Sequence, residues 1–249
     1  MASSIAASGV DQGPLLRVDE LCVRYGAVTA VRDVSFEVAG GTLVTIVGAN
    51  GAGKSSLVNS VCGTVPNVGG QVWAFGEEIG GRTPEAIARS GIALVPEGRR
   101  IFGALSVAEN LRLGILHRRD RSAAAEDIAG VLDRFPALRA SLKRSADSLS
   151  GGQAQQLAIA RSLVSRPRLL ILDEPSLGLA PVVVNEIFEL LENLRDDGMT
   201  ILLIEQNVTH AIRIADRSLV LSAGRVVLAA DREDLPPADE IAAAILGVS

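Results

Sequence analysis

The sequence predicts an α/β fold, a largely parallel sheet covered by helices, and three observations carry that expectation. After Gly151-Gly152, strand-like and helix-like stretches alternate, the order that folds into parallel strands joined by helical crossovers. A short apolar run at residues 42–47 leads into a glycine-rich loop and then a helix-like stretch. A second such run, at residues 169–172, ends on two acids, Asp173 and Glu174.

The N-terminal part is strand-like at residues 16–18, 21–25 and 34–38, the last with clear apolar–polar alternation. Gly40-Gly41 turns the chain into the buried strand at 42–47, and residues 55–62 follow as a helix. Turn residues at 67–70 introduce a strand at 72–75, a short helix at 84–90 and a strand at 92–95. From about residue 99 to 148 there are few β-branched runs and three helix-like patterns, at 107–113, 123–135 and 138–142, which read as an α-helical insertion. A helix running to Ser165, a strand at 169–172, a helix at 181–197 and a strand at 200–204 complete the pattern. Pro181 and Gly198 are the expected start and stop of that last helix. With no repeat and no low-complexity linker, residues 14–249 are expected as a single domain with a helical subdomain at about 99–150. Residues 1–13, rich in Ser, Ala and Gly, are expected as a flexible tail and not a secretory signal.

Composition narrows the function classes. The 249 residues carry 24 Lys+Arg against 29 Asp+Glu, a formal charge of −5, and 48 % are hydrophobic but only 3 % aromatic. An isoelectric point near 5.2 argues against a nucleic-acid binder, which needs a basic face to displace phosphate counterions. The run His117-Arg118-Arg119 is basic, but Asp120 follows at once, so it reads as a solvated helix end or loop. A mean hydropathy of +0.31 invites a membrane reading. Yet a spanning helix needs roughly 18–20 consecutive apolar residues, and the densest runs end in Asp173 and Glu205. Cys22 and Cys62 have no metal-ligand spacing and are expected as buried reduced thiols, the pattern of a cytoplasmic chain.

Gly48-Ala49-Asn50-Gly51-Ala52-Gly53-Lys54-Ser55-Ser56 matches the phosphate-loop pattern G-x-x-x-x-G-K-[ST], with an apolar strand before it and a helix after. Glycines permit positive φ and close approach, so successive N–H groups from Asn50, Gly51, Ala52, Gly53, Lys54, Ser55 and Ser56 can line a concavity for phosphates. The helix N-terminus adds partial positive charge. Lys54 would bridge the β- and γ-phosphates, and Ser55 would offer its hydroxyl to Mg²⁺. This pattern is similar to that of P-loop NTPases, a resemblance that implies a RecA-like core. Asp173 is delivered to the carboxyl edge of the sheet, where open α/β sheets bind ligands, and is placed to hold Mg²⁺ mainly through water. Glu174 is placed to orient or deprotonate the attacking water.

Leu149-Ser150-Gly151-Gly152-Gln153, lying before Leu172-Asp173-Glu174, decides the kind of ATPase. With these motifs in this order, nearly the whole chain resembles an ATP-binding-cassette (ABC) ATPase. That resemblance implies an antiparallel β-subdomain and an α-helical insertion on the core. It also implies that Ser150, Gly151, Gly152 and Gln153 close on the γ-phosphate held by the phosphate loop of an opposite subunit. Physically, a hydroxyl and exposed glycine amides at a positive helix end make a second anion clamp. Tyr25 aligns with the family's adenine-stacking aromatic.

Three departures point to a subgroup. Glu97, in Val95-Pro96-Glu97-Gly98, replaces the usual glutamine, and Gln206 replaces the switch histidine. The loop Pro175-Ser176-Leu177-Gly178-Leu179-Ala180-Pro181 lacks the aspartate of most relatives. Together they are similar to the smaller ATPase of bacterial branched-chain amino acid importers, with urea and short-amide importers as the neighbouring alternative. Glu97 can approach Mg²⁺ but accepts hydrogen bonds without donating them, and Gln206 can position a γ-phosphate oxygen or water but cannot titrate. His210 is expected as a helix-surface histidine.

The resemblance implies a head-to-tail dimer with ATP and Mg²⁺ at the interface, the partner being a second, different ABC ATPase, or a second copy in isolation. It further implies two transmembrane permease subunits, a periplasmic binding protein acting indirectly, no nucleic acid, and a peripheral place on the cytoplasmic face of the inner membrane. Arg99, Arg100, Ile101, Phe102 and Leu105 are the candidate permease contacts. Two other classes are weighed: a soluble ABC ATPase of DNA repair or translation, which would carry a coiled-coil insertion or a second cassette, and an ATP-binding regulatory subunit with weak hydrolysis, against which Glu174 speaks.

Overall fold

The computed structural model describes residues 13–116, 118 and 120–246; the rest of the expected tail, and His117 and Arg119 of the basic run, lie outside the described residues. Strands β1 (Leu16–Tyr25), β2 (Val28–Val38), β4 (Gly69–Ala74) and β5 (Glu77–Glu78) form an antiparallel sheet in the order β2-β1-β4-β5. The second sheet has the order β10-β9-β3-β8-β7-β6. It contains β3 (Leu43–Val47), β6 (Ile92–Val95), β7 (Leu169–Asp173), β8 (Thr200–Glu205), β9 (Arg217–Ser222) and β10 (Arg225–Asp231). Its pairs β9/β3, β3/β8, β8/β7 and β7/β6 are parallel, and only β10 joins antiparallel at the edge.

Every residue of β3, β7 and β8 is buried, because helices or strands cover both faces of that sheet. On one face α1 (Lys54–Val61) packs through Leu57, Val58 and Val61 between the two sheets. On the other, α6 (Gly151–Leu163) and α7 (Pro181–Asp196) present Leu157, Ile159, Ile187, Phe188 and Leu191 to Leu170, Leu172 and Leu203. The insertion supplies α3 (Val107–Leu113), α4 (Arg121–Asp133) and α5 (Pro136–Arg139), all packed against α6. The helical layer thus runs on past residue 150 into α6.

Several local expectations change. The two N-terminal strands are one: β1 bulges where Glu20 takes φ 45°, its N–H donating to Ser35 Oγ at 2.8 Å, and this breaks the apparent alternation. Asp33, at φ 49°, does the same in β2, which therefore starts earlier than its alternating end suggests. Cys62 is buried and its thiol is pushed up to about 12 by burial, but Cys22 is only half-buried and donates to Asp33 Oδ1 at 3.1 Å. Arg118 is not solvated: its side chain is 6 % exposed, paired with Asp120 and Asp127 and donating to the Val164 carbonyl at 2.9 Å. This network fastens α4 to the end of α6. Beyond residue 205 the chain adds α8 (Val208–Ile214), β9, β10 and α9 (Ala238–Leu246), with α2 (Pro84–Ser90) completing the helices among the described residues.

Candidate active site

The carboxyl ends of β3, β6, β7 and β8 meet at one crevice, as parallel pairing requires. The phosphate loop leaves β3 at Gly48, where a Cβ would meet the Leu221 carbonyl oxygen of β9 at 2.3 Å. Gly53 takes φ +105°, and a Cβ there would meet the Ala30 oxygen of β2 at 2.3 Å. Only glycine fits either position, and both tie the loop to its neighbours. From Gly53 the chain enters α1 with no side-chain cap and no acid in the first turn, so the first N–H groups of the helix stay available.

Lys54 is 4 % exposed, and its ammonium donates to the Gly48 and Ala49 carbonyls at 2.8 and 3.1 Å. It also pairs with Glu174 Oε1 at 3.1 Å. Ser55 Oγ lies 3.4 Å from Asp173 Oδ1. Burial, together with the charges of Glu174 and Glu97, pushes Asp173 up to about 6 against the Ser55 hydrogen bond. Glu174 takes φ 48° just after the strand, its N–H donating to Ile204 O at 2.9 Å. That left-handed turn is an uncommon conformation for a non-glycine residue and of the kind that clusters at active sites.

Asn50, Gly51, Gly53, Lys54, Ser55, Ser56, Glu97 and Glu174 line the same crevice, so the structure brings together the phosphate loop, the acids and the loop after β6. Glu97 and Glu174 line it with Lys54, and Asp173 stands behind Ser55 at its edge. An excess of hard, anionic oxygens beside a serine hydroxyl fits Mg²⁺, which binds through one or two carboxylates plus substrate phosphates. Gln206 is exposed just after β8 and shares a second recess with Glu174, Ser176, Leu177 and Asn207. Ala30 lines the crevice from β2; Tyr25, 47 % exposed at the end of β1, does not line it.

Ser150, Gly151, Gly152 and Gln153 stand apart from this crevice. Ser150 is the N-cap of α6: its Oγ accepts from Gln153 N at 3.3 Å, and Gln153 Oε1 accepts from Ser150 N at 3.1 Å. Gly151 lies against the Arg99 guanidinium, and at Gly152 a Cβ would meet Val183 Cγ1 of α7 at 2.6 Å. Gly152 therefore also lets α6 pack closely on α7, a role that neighbouring residues in sequence do not reveal. His210 is half-buried, its ring centroid 5.1 Å from that of Phe188. Glu205 ends the apolar strand β8 as Asp173 ends β7, and the sequence motifs assign it no role.

A buried lysine on a glycine loop, a helix-borne hydroxyl and an acid closing β7, one strand removed from β3, make the chain a P-loop nucleoside-triphosphatase. Within that class it belongs to the ABC transporter family, whose model matches residues 31–177. It is 45 % identical over 214 residues to the high-affinity branched-chain amino acid transport ATP-binding protein BraG of Pseudomonas aeruginosa, covering 86 % of this chain and 91 % of that protein. It is 39 % identical over 213 residues to the probable branched-chain amino acid transport ATP-binding protein LivF of Archaeoglobus fulgidus, covering 85 % and 90 %. To the lipopolysaccharide export system ATP-binding protein LptB of Escherichia coli the identity is 34 %, covering 85 % and 88 %. Among solved structures, the ATP binding subunit of an ABC transporter superposes with a TM-score of 0.82 at 27 % identity, covering 93 % of this chain and 99 % of that one. A nucleotide-free cassette superposes at 0.81 with 25 % identity, covering 94 % and 96 %. The chain is an ATP-binding, ATP-hydrolysing subunit of an ABC transporter. Among the described residues no helix is long and apolar enough to cross a membrane.

Proposed function

We propose that this chain energises the uptake of branched-chain or related amino acids as the peripheral ATPase of an ABC importer, on the cytoplasmic face of a bacterial inner membrane. What carries the solute class is the 45 % identity to BraG across 91 % of that protein, against 34 % to the LptB export protein. Hydrolysis follows from the crevice. Lys54 exchanges its carbonyl and Glu174 partners for phosphate oxygens, and that exchange frees the Glu174 carboxylate. The carboxylate then accepts a proton from an attacking water, which Gln206 orients from the shared recess. Ser55 and Asp173 would hold Mg²⁺ with Glu97 beside them, and the ion would neutralise phosphate charge. Tyr25 would stack on adenine at the outer end of β1.

Ser150, Gly151, Gly152 and Gln153 do not line this chain's own crevice, which supports their completing the site of a second ATPase subunit in a head-to-tail pair. The permease subunits would dock in the groove lined by Ile87, Arg100, Phe102, Leu113 and Arg161. There Phe102 is 56 % exposed, with the Arg161 guanidinium 5.8 Å above its ring. Of the other candidate contacts, Ile101 packs against the helical core and Arg99 lies on Gly151. The test is reconstitution in vesicles with the partner ATPase, permeases and binding protein. Leucine, isoleucine or valine should raise ATP turnover several-fold. Stimulation by urea or a short amide alone would overturn the amino-acid assignment.

A further inference from the structure

One buried acid remains outside the roles assigned above. Glu205 ends β8 and is 1 % exposed, in parallel register with Val47 where the phosphate loop leaves β3. Among the described residues it has no cationic partner. Its carboxylate instead accepts three backbone N–H groups from two loops. Ser176 N donates to Oε1 at 3.2 Å, while Gln206 N and Asn207 N donate to Oε2 at 3.1 and 3.4 Å. Burial raises its pKa, against those hydrogen bonds. The four residues before it, Ile201 to Ile204, are all aliphatic and fully buried, so an apolar side chain would suit packing alone.

The two loops it joins are the two that carry the hydrolytic groups. Ser176 follows Glu174 by two residues, and Gln206 is the next residue after Glu205. Glu174, Ser176, Glu205 and Gln206 border the same recess. We propose that Glu205 is a positioning residue for ATP hydrolysis: one carboxylate, with an oxygen on each loop, fixes the spacing between the Glu174 carboxylate and the Gln206 side chain. It touches no substrate. Its effect reaches the reaction through the backbone on either side.

Glu205→Gln keeps the side chain's size but leaves one carbonyl oxygen, so one loop faces an NH₂ group and loses its acceptor. Turnover of the full chain should fall about tenfold, since misplaced reacting groups lower kcat. KM for ATP should stay within about twofold and the melting temperature within a few degrees, because the phosphate loop is untouched. In the Gln206→Ala background, Glu205→Gln should lower turnover by less than about twofold, the non-additivity of groups acting as a unit. Glu205→Asp keeps both oxygens one methylene short and should give an intermediate loss. It replaces the Gln variant in the cycle if the latter does not fold. Three outcomes would overturn the proposal: an unchanged kcat, a full multiplication of losses in the double variant, or a Gln206→Ala chain that turns over normally while the Glu205 variant does not.

Discussion

Two helix N-termini enter the proposed ATP chemistry of this chain, and they are built in opposite ways. At α1 the entry is a left-handed glycine, no side chain caps the helix, and the first side chain is a buried lysine. At α6 the entry is Ser150, whose hydroxyl and Gln153 partner close a capping box on the helix's own N–H groups. Both ends carry the helix's partial positive charge. At α1 the first donors stand uncommitted beside Glu97 and Glu174, whereas at α6 the box engages the Ser150 and Gln153 amides and not those of Gly151 and Gly152. The comparison teaches that α1 turns its donors toward this chain's own crevice, whereas α6 holds its cap and third amide internally and keeps only the Gly151 and Gly152 amides outside the box.

The largest effect should come from removing the acid that completes the α1 side. Glu174→Gln removes the carboxylate proposed to accept the water's proton while keeping size and shape. Turnover should fall by about 10²–10⁴-fold, as for loss of a positioned general base. ATP should still bind, measured by equilibrium dialysis, since the loop amides and Lys54 remain. Residual turnover above about a tenth would place the base elsewhere.

Asp173→Asn sharpens the same contrast through stability. Its acid is raised from 3.8 to about 6 in the fold. Its contribution to stability is therefore complete below the unfolded value and is lost as pH rises through about 6. At pH 7 the ionised, buried carboxylate opposes folding. The amide removes that opposition and should stabilise the nucleotide-free chain by about 3 kcal/mol, a rise of about 6–12 °C in melting temperature for a chain of this size. Below pH 4 the two chains should melt together. A variant that melts lower than its parent at pH 7 would show that Asp173 is held by favourable interactions instead.

How much of this contrast was legible in the sequence depends on range. Everything at α1 lies in nine consecutive residues after an apolar strand, and local order dictates the loop, the helix and the lysine. Asp173 and Glu174 were legible because a buried parallel strand can only deliver its end to the carboxyl edge. The interrupted β1 and β2 were not, since Glu20 and Asp33 sit in bulges that shift the alternation of everything beyond them. Arg118 looked solvated from its charged neighbours in sequence, but its partners Asp127 and the Val164 carbonyl lie on other elements. Glu205 was visible as an acid ending a strand, yet its three N–H partners, spread over two loops, appear only in three dimensions.

Gly152 probes the α6 side by packing. An added methyl would meet Val183 Cγ1 at 2.6 Å and Cγ2 at 3.0 Å, and a β-branched side chain on a helix has little freedom to turn away. Gly152→Ala should destabilise by about 1–3 kcal/mol through overpacking. Adding Val183→Ala should restore most of that loss in the same thermal melts. No restoration would mean that Gly152 is needed for its backbone and not for its lack of a side chain.

The smallest effect tests the capping box itself. Ser150→Ala removes the hydroxyl that accepts from Gln153 N, while the backbone N–H at 150 still donates to Gln153 Oε1. The N-cap loss should be about 1 kcal/mol, about 2–4 °C in melting temperature. Because Ser150 does not line the Lys54 crevice, ADP affinity of the isolated chain should not change. In the reconstituted transporter the same variant should lower turnover, because in the proposed head-to-tail pair the hydroxyl would face a phosphate held by another subunit. A loss of ADP affinity in the isolated chain would show that the α6 end reaches its own crevice, and the division between a catalytic α1 and a partner-directed α6 would fail.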